Sequence, residues 1–301
     1  MSTERVAKNW QSVGLDNSSN EAILGTLNHY GVTMDESGYR ALAQDKYPMA
    51  IALEWQSQWK GTGQFARFPF AAASELWRRF EAGRLLPTDY ATVIGELCNA
   101  TLRRLDGGPE APVKAAFEKL DGFKAQVPTV DGGADEGFVQ EVFAHFGEEL
   151  IRAFDGLAER LAQKGLLDEA RTFAQLEEFL IPERAGVSAA VVKAAAGERD
   201  EAVKDLVALT DDAKRTLTAR VAAADALIHF EAYDHLLGGR LEKMLDESEK
   251  LDDHHLPLEL ASRLHHVLKA SGAQQEALAA IEARAEKLQE AHLKAHPHHH
   301  H

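Results

Sequence analysis

Cysteine is nearly absent from this 301-residue chain. Cys98 stands alone, so no intramolecular disulfide can form. Aromatic residues make up 7% of the sequence, and β-branched runs, the usual material of sheets, are scarce. No apolar stretch approaches the roughly 20 residues that a membrane-spanning helix needs, and no charged-then-apolar signal opens the sequence. The expectation is a soluble cytoplasmic protein with no membrane partner. Basic charge is short as well: 33 Lys and Arg face 48 Asp and Glu, a net charge of −15. A surface of that sign repels a phosphate backbone, which argues against nucleic acid as a general partner.

Ala, Leu, Glu, Lys and Arg are abundant, and these residues lose least when held in a helix. The predicted fold class is therefore all-α, and 45% hydrophobic content is enough for a substantial core. Helices are expected near residues 20–29, from "TMDE" (33–36) to before Pro48, and near 48–59, 71–83, 88–105 and 110–124. In the helix at 88–105, Tyr90, Val93, Ile94, Leu97, Leu102 and Leu105 mark one buried face. "VPTVDGGADEG" (127–137) is rich in turn-formers and is expected to hold a linker at 131–137. It would join an aromatic-rich helical domain, residues 1–130, to an acidic helical region, residues 138–295. Charge changes across that cut, from 15 acidic and 14 basic groups in residues 1–130 to 33 and 19 in residues 131–301. That acidity either solubilises a helical surface or steers a basic partner to it.

Eight aromatics crowd residues 47–80, among them Trp55, Trp59, Phe68 and Trp77. Two readings fit them. They line a ligand pocket or partner-binding surface, as in a ligand-responsive regulator, or they fill the core of a small helical domain, as the same-face spacing of Trp55 and Trp59 implies.

No motif names a nucleophile. Gly-x-Ser-x-Gly and the phosphate-binding Gly-x-x-x-x-Gly-Lys-Ser/Thr are both absent, "GTGQF" (61–65) lacks the third glycine of a dinucleotide fingerprint, and Cys98 has no histidine near it in sequence. The protein is expected to be no enzyme and to carry neither catalytic residues nor a cofactor. Asp225 and Glu231 stand four residues before His229 and His235, natural helical carboxylate–histidine pairs. The His pairs 254–255 and 265–266 are too far apart along a helix for both to bind one metal, so no metal site is assigned. The His-rich tail, 296–301, is either a purification tag or a metal-handling segment.

A long amphipathic stripe of Phe138, Val142, Phe146, Leu150, Phe154, Leu157 and Leu161 leads into "LAQKGLLDEA" (161–170). "AAAGERDEA" (194–202) and "LKASGAQQEA" (268–277) repeat its ending: glycine, three linking residues, then Glu-Ala opening a helix. The turn glycines fall at 165, 197, 238 or 239, and 272, the spacing of stacked supersecondary units. Glycine takes the left-handed conformation that stops one helix, and alanine lets the next approach closely.

In these residues the chain resembles the tetratricopeptide repeat (TPR) family over about 148–290. The turn motif is matched at Gly165 and Ala170, at Gly197 and Ala202, and at Gly272 and Ala277, and Pro182 stands where such repeats close. The unit at 236–251 departs, having the glycines without Glu-Ala, after an expected long helix at 212–237. The resemblance implies a TPR-like α-solenoid of helical hairpins following the small N-terminal helical domain. It also implies a non-catalytic adaptor or scaffold that holds a protein or peptide partner, and the acidic surface points to a basic one.

Overall fold

Helix starts follow the short polar residues and prolines in the computed structural model, which describes residues 4–295 and only the backbone of Glu149. The fold is all-α, with one small hairpin among the described residues. After α1 (Trp10–Val13), Ser19 accepts the Ala22 N–H at 3.0 Å and opens α2 (Asn20–His29). Asp35 does the same for Gly38 at 2.7 Å, opening α3 (Glu36–Asp45). Proline occupies the first turn of α4 (Pro48–Gln56), α5 (Phe68–Phe80), α6 (Pro87–Leu105) and α7 (Ala111–Phe123), where its missing N–H costs nothing.

The expected linker is built structure. β1 (Thr129–Val130) pairs antiparallel with β2 (Gly133–Ala134) across a two-residue turn, Asp131 and Gly132, both left-handed. Gly133 and Ala134 are buried, and Asp135 caps α8 (Glu136–Ala144) by accepting the Phe138 N–H at 3.0 Å. α8 packs on α6. Contacts divide the chain later, between Asp155 and Gly156, within α9 (Glu148–Gln163). Counted by these units, charge is shared: residues 1–155 hold 22 acidic and 15 basic groups, and residues 156–301 hold 26 and 18. The asymmetry seen in the sequence came from cutting at 130.

The stripe from Phe138 to Leu161 is likewise two helices, α8 and α9, interrupted around Phe146 and Gly147. In the first unit, Trp10, Ile23, Tyr39, Trp55, Phe68, Leu76 and Trp77 belong to one core cluster. Arg79 ties its edge together, donating to Glu75 Oε1 (2.7 Å), the Ser18 carbonyl (2.7 Å), Asn20 Oδ1 (3.0 Å) and the Leu15 carbonyl (2.9 Å).

The second unit continues through α10 (Leu167–Leu180), α11 (Val187–Ala195), α12 (Arg199–Asp211), α13 (Leu217–His229), α14 (Arg240–Ser248), α15 (Leu256–Ala270) and α16 (Gln275–Ala295). From α11 onward each helix packs on its predecessor. Pro182 starts a short 3-10 turn, Pro182–Arg184, directly after α10. α13 lies in the middle and is buried nearly all round through Leu217, Ala219, Val221, Ala223, Ala224, Ala226 and Leu227, so small residues let its neighbours close in from several sides. α16 buries only Ile281 among its residues.

Candidate functional site

The turns between helices provide the frame of the site. At Gly197 (φ +100°) the chain leaves α11 through two bonds: the Gly197 N–H donates to the Ala194 carbonyl at 3.0 Å, and the Glu198 N–H to the Lys193 carbonyl at 3.1 Å. That pair of 5→2 and 6→1 bonds is a Schellman closure, which needs a left-handed residue at its centre. The same pair closes the helices at Gly165 and Gly272: the Gly165 N–H donates to the Ala162 carbonyl and the Leu166 N–H to that of Leu161, and the Gly272 N–H donates to the Lys269 carbonyl and the Ala273 N–H to that of Leu268.

The third turn is not at Gly238 or Gly239. α13 ends at His229, and Glu231 takes the left-handed position (φ +53°), its N–H donating to the Ile228 carbonyl at 2.9 Å and that of Ala232 to the Leu227 carbonyl at 2.9 Å. The expected long helix over 212–237 is thereby replaced by α13, this turn and a 3-10 segment, Tyr233–His235. Closures at 165, 197, 231 and 272 are spaced by 32, 34 and 41 residues. No glycine marks the third, which is why the motif search missed it. A shared aspartate does, three positions after the closing residue: Asp168, Asp200 and Asp234.

Behind the turns, Ala170 and Ala202 are fully buried, as close packing requires. Ala277 is not: it is exposed, and α16 places Ile281, with Ala285 and Leu288, against the core instead. At the third turn the large Leu236 takes the place of the buried alanine.

An open groove of about 760 Å³ lies along three successive turns of the second unit. Arg199, Asp200 and Lys204 line it from the start of α12, residues 231–235 from the third turn, and Ser271 from the fourth. Its cations are engaged. The Arg199 guanidinium donates to the Phe230 carbonyl, and Lys204 Nζ lies 2.8 Å from Glu201 Oε1. Asp200, Glu231 and Asp234 are exposed and, among the described residues, make neither a hydrogen bond nor an ion pair through their carboxylates. Tyr233 is half-buried, its ring centroid 5.9 Å from that of His266 in a T-shaped pair.

The aromatic cluster of the first unit is packed interior. Trp55, Phe68 and Trp77 are each at most 2% exposed, and Trp59, half-buried, stacks on Phe68 with centroids 5.8 Å apart. Cys98 is also fully buried, and burial pushes its thiol up to about 12, so it stays protonated at neutral pH.

The anticipated carboxylate–histidine pairs are not formed within their helix. Asp225 receives a bidentate bond from Arg263 (2.5 and 3.0 Å), while His229 Nε2 lies 2.9 and 3.0 Å from the two carboxylate oxygens of Glu159. Glu231 and His235 fall in the turn, where four-residue spacing no longer aligns side chains. His265 Nε2 sits 3.0 Å from Glu282 Oε1. Among the described residues no group of three or more His, Cys, Asp or Glu is arranged to hold a metal ion, and no helix is long and apolar enough to cross a membrane. The His-rich tail, 296–301, lies outside the described residues.

Comparisons with protein-family models, with curated proteins and with solved structures find no match.

Proposed function

We propose that this chain is a non-catalytic, cytoplasmic adaptor or scaffold whose second unit is a TPR-like α-solenoid that holds a protein or peptide partner. One observation carries the reading: the groove along three consecutive turns, built by elements that each pack on the one before. Sequential packing of this kind leaves an extended surface open while every helix still buries one face, the arrangement solenoids use for binding. The buried, fully protonated thiol of Cys98 and the packed tryptophans favour a binding surface over a catalytic pocket.

The test is affinity capture from lysate of the source organism. The bait is the chain with residues after Ala295 removed, tethered through its N-terminus and read by mass spectrometry. A stoichiometric, salt-sensitive protein partner is the expected result. Recovery of no protein but of a tightly retained small molecule or metal would overturn the adaptor reading.

A further inference from the structure

The groove's own chemistry narrows the partner. Three carboxylates line it without a protein partner of their own, Asp200, Glu231 and Asp234, beside His235 and two cations that each have one, Arg199 on the Phe230 carbonyl and Lys204 on Glu201, so its acidic groups outnumber its lysine and arginine. Asp200 and Asp234 occupy equivalent positions of successive turns, which places carboxylates along the groove rather than at one point of it. Tyr233 lines the same groove, a ring able to receive an aliphatic stem or a cation on its face. The groove is open, and its lining is both apolar and polar through Val203, Ala232 and Tyr233 beside the charged groups, which suits an extended chain more than a compact ligand.

Resting on the partner-binding reading above, we propose that this groove takes an extended peptide segment bearing lysine and arginine, with its cations against Asp200, Glu231 and Asp234 and one side-chain stem on Tyr233. Glu231 sharpens the case. Glycine would relieve the left-handed turn at that position, so a carboxylate there is held against local backbone preference.

Fluorescence anisotropy on the full chain tests this, with a fluorescein-labelled peptide of alternating Lys, Arg and Gly as probe and its Glu-for-Lys/Arg counterpart as control. The basic peptide is expected to bind and to weaken as salt is raised, with the acidic one not binding. Combining Asp200→Asn, Glu231→Gln and Asp234→Asn should weaken binding by roughly tenfold or more, three exposed pairs each contributing a fraction of that. Asp252→Asn, Glu286→Gln and Glu290→Gln together change net charge equally at exposed positions away from the groove and should leave affinity within about twofold. Glu231→Gly should raise the unfolding midpoint while lowering affinity, a combination that a purely structural role does not produce. No binding of the basic peptide, equal loss in both triple variants, or undiminished affinity in Glu231→Gly would overturn the proposal. The two readings fail separately. A lysate partner retained equally by the groove triple variant leaves the adaptor standing and sinks the groove assignment, whereas absence of any protein partner sinks the adaptor itself.

Discussion

Ala202 and Ala277 occupy matching places in the repeat motif, yet one is fully buried and the other exposed. Ala202→Leu should therefore cost about 1–3 kcal/mol by overpacking, while Ala277→Leu should stay within about 0.5 kcal/mol, both read from urea midpoints. Glu231→Gly acts on the backbone alone and should stabilise by up to about 1 kcal/mol, the left-handed penalty less the entropy glycine adds to the unfolded chain. Glu141 is a different case, a buried carboxylate on α8 that accepts the Ala50 N–H at 2.9 Å and so caps α4, whose own N-cap, Tyr47, offers no side-chain bond. Burial raises its pKa above the ordinary carboxylate range, against the opposing pull of the Met49 and Ala50 N–H bonds. The folded state thus holds the Glu141 proton more tightly than the unfolded chain. Its stabilising contribution is complete below the ordinary carboxylate range and is lost as pH rises through the raised folded value. Glu141→Gln keeps an acceptor without the charge: it should match the parent in acid and be the more stable protein at neutral pH. A urea midpoint for Glu141→Gln below the parent's at neutral pH would contradict this account.

Single elements depend on closures and on arginine staples between helices. Gly197 has open space around its α-carbon, so Gly197→Ala meets no clash and pays only for its left-handed φ, about 1 kcal/mol by thermal or urea unfolding. A much larger loss would mean that the turn packs more tightly than its surroundings imply. Arg263 links α15 to Asp225 on α13, Arg240 links α14 to Asp211 on α12 (2.7 Å to each oxygen), and Arg284 links α16 to Glu249 (2.8 Å) and Asp246 (2.6 Å). Four of the 26 carboxylates of this unit are thus engaged by these three arginines of other helices. The bidentate geometry suits arginine alone among the cations. Lysine at 263 cannot reach both Asp225 oxygens in that way, and Arg263→Lys should lower stability by a few tenths to about 1 kcal/mol, because the pair is partly exposed.

On the scale of the whole molecule, residues 127–137 distinguish a hairpin from a linker. Val127, Gly133 and Ala134 are buried, and the Tyr47 hydroxyl donates to Asp135 Oδ1 at 2.9 Å, so the segment is anchored within the first unit. Brief treatment with subtilisin should leave it uncut, since cleavage needs an extended stretch freed from its contacts. Early cleavage between 128 and 136 would restore the linker. The even division of charge between the two units also removes net charge as a reason to assign binding to either one. That assignment rests on the groove, whose free carboxylates are a local feature.

Local chemistry alone determined that this protein is helical and where many helices begin and end: Ser19, Asp35 and the first-turn prolines act through their nearest neighbours, and Gly165, Gly197 and Gly272 through their own φ. Periodicity likewise foretold the buried face of α6, where Tyr90, Val93, Ile94, Leu97 and Leu105 lie inside. The Asp131-Gly132 turn was also legible, as a two-residue hairpin signal hidden in a stretch rich in turn-formers. Tertiary structure decided the rest. Leu236 is held inside as part of the second unit's core, while Glu231 takes a conformation that no local preference favours; Asp225 and His229 chose partners distant in sequence; and the groove exists only where three separated turns come side by side. Caps and glycine turns are set by interactions within a few residues, so a sequence displays them, whereas a groove and its unpaired charges depend on which distant side chains have already been satisfied.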